Sequence, residues 1–224
     1  MLANNFVWFY NTKMNEQSQK FYMKSHSAEQ LDWSKIRWFQ QEEFPLDELG
    51  LLNKQVVEEL DKVREALGVP ISISPVEGAV IRYHSHSSGV RNERKSYHYF
   101  DEYTGRLGLA VDVFVMSLIP YVSPIQIISR VFGCSRFKGL GMYFDAILNN
   151  QPKLMLHLDL RPTDPLVWIG KRRALHNKRE YFYPSTHDNF LLMLDKDFKD
   201  LKLKDMSDDE LCIRPRGTPE SHEA

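Results

Sequence analysis

The run Leu154-Met155-Leu156-His157-Leu158-Asp159-Leu160 constrains this chain more tightly than any other stretch. Its strict alternation matches the period of two by which successive strand side chains point to opposite faces. The leucines therefore fall on one face and His157 and Asp159 on the other. Such a strand belongs in a sheet with one face packed on a core and the other presenting an imidazole and a carboxylate. A merely solvated outer face would give the same alternation, but more often with Lys, Thr or Glu than with a His and an Asp.

A second run, Leu109–Val115, is strongly β-forming yet carries Asp112 at its centre. An ionised carboxylate in that setting is costly unless it is paired or bound to a metal. The plainer alternative is a strand-edge aspartate paired with an arginine. Further β-rich runs are Ile71–Ser74, Ala79–His84, Gly141–Phe144 and Lys153–Leu160, with a helix expected at Pro124–Phe132. Leu51–Leu67 places Val56, Val57, Leu60, Val63 and Leu67 on one stripe, and Gly68-Val69-Pro70 supplies a stop. This order predicts an α+β fold with a small, mainly antiparallel sheet and flanking helices.

The ends read differently. Residues 1–35 mix Phe6, Trp8, Phe9 and Tyr10 with polar stretches, as expected of an arm packing on the domain. After the basic Lys171-Arg172-Arg173, the span Asn189–Leu203 has the spacing of an amphipathic element, so 171–204 is expected to pack on the domain edge. From Asp205 the chain has too little apolar content to hold one conformation, and 205–224 is expected to fray.

At 224 residues the chain has room for one main domain plus extensions. Its 29 basic and 30 acidic residues leave no basic footprint for nucleic acid. No run of about 20 apolar residues is present to span a bilayer, and the start lacks an export signal, so synthesis in the cytoplasm is expected. The only cysteines, Cys134 and Cys212, form no CxxC pair, so any metal must use nitrogen and oxygen ligands. His98, Asp112 and His157 make the one plausible set, although His98 alone would pass for a surface histidine. Two imidazoles and a carboxylate suit Zn²⁺ and leave a fourth position for water. Zinc brings the pKa of such a water towards neutrality and polarises a carbonyl, so amide hydrolysis is the natural reaction class.

The same residues resemble the zinc D-alanyl-D-alanine carboxypeptidase and L-alanyl-D-glutamate endopeptidase family. That family shares its fold with the Hedgehog signalling domain and includes many phage endolysins. The resemblance rests on Ser96-Tyr97-His98, Gly108-Leu109-Ala110-Val111-Asp112 and His157-Leu158-Asp159. Phe39–Phe44, Leu60–Pro70, Ser88-Gly89-Val90-Arg91, Gly139–Tyr143 and Trp168 support it, and together they span residues 36–170. It implies zinc on His98, Asp112 and His157, with Arg91 and Tyr143 contacting substrate and Arg91 holding a carboxylate. The substrate would be the stem peptides of peptidoglycan, and the place of action the bacterial cell wall or a phage particle. Two departures stand out. His98 and Asp112 are 14 residues apart, a longer interval than is usual in the family, which leaves His84 or His86 as competing first ligands. Leu154 occupies the place of the family's general base, so Asp159 becomes the candidate base, or else the partner that orients His157, with Asp101 and Glu102 as further candidates. The alternative is a catalytically inactive descendant serving as a binding or virion assembly module.

Overall fold

The computed structural model describes residues 25–82, 96–100, 106–117, 122–172 and 179–209, with 202–209 described by backbone alone. Helix α1, Lys54–Leu67, begins where the Asn53 side chain accepts from the Gln55 N–H and ends where Gly68 turns left-handed at φ 66°. It starts after Leu51 and Leu52 because these are held elsewhere: Leu52 bridges to Gly108 and Gly108 N–H donates to the Leu51 carbonyl. Helix α2, Pro124–Cys134, opens on a reciprocal cap between Ser123 and Gln126 with a proline in its first turn. Helix α3 runs over Phe190–Asp209.

Among the described residues six strands form one sheet: β1 Ile71–Ile73, β2 Ala110–Val115, β3 Gly139–Leu148, β4 Gln151–Asp159, β5 Leu166–Arg172 and β6 Arg179–Phe182. Their order is β1-β2-β4-β3-β5-β6. The β3–β5 pairing is parallel and the others are antiparallel, so the protein is α+β with a mixed sheet. Strands β3 and β4 join through Asn149 and Asn150, both at positive φ, the backbone that lets a two-residue hairpin follow the strand twist.

One face of this sheet is the core. Val111, Val113, Leu154, Leu156 and Leu158 lie buried there together with the apolar stripe of α1 and with Phe190, Leu194 and Phe198 of α3. The alternation read in β4 is thus realised, with leucines inward and His157 and Asp159 on the reverse face.

Several expectations need correction. Ala79–His84 is no strand where it is described. Ala79 N–H turns back to Val76, Gly78 is left-handed, and Arg82 makes a single bridge to Tyr99. Strands β5 and β6 were not expected. Helix α3 begins one residue after the Asn189 start expected for an amphipathic element and reaches Asp209. The described part of the N-terminal segment packs on the body: Ala28 is buried and its N–H donates to Leu52 O at 2.7 Å. Residues 1–24 and 210–224 lie outside the described residues. Among the described residues, no helix is long and apolar enough to cross a membrane.

Candidate metal centre

Strand register builds the site. Asp112 of β2 pairs with His157 of β4, His157 with Gly141 of β3, and Gly141 with Trp168 of β5. The four residues form one row across four neighbouring strands, and residues in such a row share a face. Gly141 keeps the row low. A Cβ there would lie 2.5 Å from the Trp168 indole, so only glycine lets the ring lie over β3 towards His157. The His157 and Trp168 ring centroids are 5.3 Å apart.

His98 arrives from outside the sheet, on the segment Ser96–Phe100. That segment is tied down by Leu109 N–H to Tyr97 O at 2.7 Å and by Arg82 N–H to His98 O at 2.9 Å. The ring is 1% exposed, which removes the surface-histidine alternative.

Three atoms then converge. His157 Nδ1 lies 2.8 Å from Asp112 Oδ1 and 3.0 Å from His98 Nε2, and His98 Nε2 lies 3.3 Å from Asp112 Oδ1. Among the described residues these three side chains form a group able to hold a metal ion. Zinc bound at about 2.0–2.1 Å by nitrogen and oxygen in a tetrahedron separates neighbouring ligand atoms by about 3.3 Å, so the triangle is of the right size.

The remaining ring nitrogens fix which atoms face inward. His98 Nδ1–H donates to the Val80 carbonyl at 3.2 Å, leaving the Nε2 lone pair for the centre. His157 Nε2–H donates to Asp159 Oδ2 at 3.1 Å, leaving Nδ1. A partner on the far nitrogen is how a metal-binding histidine is usually held in one tautomer. Two lone pairs and a carboxylate oxygen facing one another at these distances repel unless a cation or a proton sits among them.

Electrostatically, a proton on His157 Nδ1, donated to Asp112, can fill the same place as an ion. Burial would raise the Asp112 carboxyl, but His98 and His157 hold it well below the usual range. Burial pushes the His98 ring down, against the pull of Asp112. Burial would also depress His157, yet its bonds to Asp112 and Asp159 lift it to about 9. The centre is not sealed: His157 keeps 13% and Asp112 11% of their side chains exposed.

Asp159, the candidate base, sits behind His157 and is fully buried. Arg161 grips it through Nε to Oδ1 at 2.8 Å and Nη2 to Oδ2 at 2.6 Å. Burial would raise this carboxyl, but Arg161 and then His157 draw it down to about 2. Of the two roles open to it, orienting His157 is the one its hydrogen bonds describe. Gly139 makes room, because a Cβ at that position would collide with the Asp159 carboxylate.

Tyr143, expected to contact substrate, lies on the site face of β3. Its hydroxyl accepts from Trp168 Nε1–H at 3.1 Å, its ring lies 4.5 Å under the Arg179 guanidinium, and it is 7% exposed. Leu154 is 1% exposed on the core face. Arg91, His84, His86, Asp101 and Glu102 lie outside the described residues.

Sequence reasoning missed Arg161 and the part played by Trp168. The signal for Arg161 was available, since it continues the spacing of His157 and Asp159 by two more residues. No protein-family model, curated protein or solved structure matches the chain.

Proposed function

We propose that this protein is a mononuclear zinc peptidase acting on peptidoglycan stem peptides, of the D,D-carboxypeptidase or L-alanyl-D-glutamate endopeptidase type. In this reading it is phage-related, and its sheet is a version of the mainly antiparallel sheet of the Hedgehog/DD-peptidase fold. The observation that carries the reading is the convergence of His98 Nε2, Asp112 Oδ1 and His157 Nδ1 within 3.3 Å. These three atoms would hold the ion. When bound, zinc supplies a Lewis acid for a carbonyl and an acidified water. The chain's own residues supply the rest: Asp112 offsets the ion's charge, Val80 and Asp159 fix the two imidazoles, and Trp168 walls one side of His157.

One observation favours the alternative of an inactive descendant that serves as a binding or assembly module. Leu154, in the place of the family's base, is turned into the core, and both Asp159 oxygens are engaged by Arg161. Within the described metal-holding group, Asp112 is the sole carboxylate.

The test is elemental analysis of protein purified without added metal, followed by digestion of purified peptidoglycan with appearance of new amino groups as the readout. One zinc per chain, lost in His98→Ala, together with zinc-dependent release of amino groups, is the expected result. Zinc without release would select the binding-module alternative. A chain free of zinc and unable to take it up would end the peptidase reading and leave an inactive descendant that has lost the metal, or histidines that are merely structural.

A further inference from the structure

The geometry points to Arg161 as a positioning residue that sets metal affinity by locking both histidines at once; this rests on the zinc reading above. The guanidinium makes a two-point grip on Asp159, at 2.8 and 2.6 Å, and the Arg161 backbone N–H adds a third bond to Oδ1 at 3.1 Å. Asp159 in turn receives His157 Nε2–H at 3.1 Å. The carboxylate is thereby held so that one oxygen faces His157, and the imidazole presents Nδ1 to the centre.

Arg161 also reaches the other histidine. Its guanidinium lies against two aromatic rings, 5.3 Å from the Tyr97 centroid and 5.1 Å from that of Trp168. Tyr97 immediately precedes His98, and its carbonyl accepts from Leu109 N–H beside β2. Trp168 lies against the His157 ring. One side chain therefore braces the His98 segment, the His157 ring and the carboxylate behind it. The side chain is only 12% exposed, so the grip is little screened by solvent.

Such a role is specific to arginine. A planar fork meets a carboxylate at two points and stacks flat on aromatic rings, whereas a lysine ammonium carries the charge without either geometry. Loss of a partner behind a metal ligand typically weakens metal binding about 10–100-fold.

The experiment is competition of the full-length protein against a chromophoric zinc chelator, comparing wild type with Arg161→Lys, Arg161→Ala and Asp159→Asn. Alongside it, ¹⁵N chemical shifts of the His157 ring in the zinc-loaded protein report the tautomer. All three variants are expected to bind zinc about 10-fold or more weakly than wild type, with Arg161→Lys failing to rescue. The His157 shifts should report a protonated Nε2 in wild type and a mixture of tautomers in Arg161→Lys. If Arg161→Ala fails to fold, Arg161→Lys decides the matter: wild-type affinity with an unchanged His157 tautomer would overturn the assignment. Wild-type affinity in a folded Arg161→Ala would overturn it equally. In both cases the wild type still binds zinc, so the reading of the metal site stands. A wild type that takes up no zinc would overturn the metal site and this role together.

Discussion

Asp112 shows why polar residues in apolar strands repay attention. It lies in a six-residue strand buried throughout, and among the described residues its ion-pair partners are the two histidines. No described arginine pairs with it, so within the described residues the arginine-paired alternative is not what the fold provides. Asp112→Asn keeps the shape of the side chain and removes the charge that a divalent ion needs. Zinc content measured after purification is expected to fall from one per chain to near none, with the far-ultraviolet circular dichroism spectrum unchanged. Leu154 makes the converse point. In a regular strand a residue three positions before His157 faces the opposite side, and here that side is core. Leu154→Glu would place a carboxylate among the apolar side chains of the core. We expect a loss of at least about 3 kcal/mol of stability in urea denaturation and no gain in hydrolysis, because the new group cannot reach the site.

At the scale of elements, local pattern carried far and long-range pairing did not. The α1 stripe, the Pro124 helix start and the two-faced β4 were all readable because each is a periodicity within about 15 residues. The candidate triangle was readable in part: Asp112 and His157 stood out as polar residues in strand-forming runs, whereas His98 was picked out only by ligand type and family resemblance, and the side-by-side register came from the fold. Strand β5 was hidden. Leu166–Arg172 is short, contains Gly170 and ends in cations, which reads as a domain edge. Gly170 is there because the Tyr143 ring fills the space of its missing side chain, and nothing local reveals that. Parallel pairing with β3 depends on a crossover that local patterning does not encode. The close packing of β3 and β5 is testable through Gly141→Ala. Its new methyl must displace the Trp168 indole, so a cost of about 1–3 kcal/mol is expected in chemical denaturation. Loss of the shielding of His157 ring protons by Trp168 in the NMR spectrum would show that the indole had moved. Unchanged stability and shifts would mean that the β3–β5 register differs from that described.

Across the whole molecule, the proposed ion would tie together three distant parts of the chain: the segment carrying His98, the β2 strand carrying Asp112 and the β4 strand carrying His157. His98 and His157 alone are 59 residues apart in sequence. An unfolded chain cannot hold those three atoms within 3.3 Å, so zinc held there would bind the folded state far better than the unfolded one, and mass action would convert that difference into stability. The sign is fixed, since a ligand selective for the native state raises the melting temperature and a chelator lowers it. With free zinc at about 100 times the dissociation constant the gain is about 2.7 kcal/mol, which for a chain of this size corresponds to roughly 5–10 °C. Thermal unfolding followed by circular dichroism, with zinc and then with excess chelator, should show that shift in the wild type. His98→Ala should show none, because its remaining two ligands no longer close the loop between the His98 segment and the sheet. Equal melting temperatures in zinc and chelator for the wild type would mean that the three side chains hold one another through a shared proton, and that the fold has no need of a metal to bring them together.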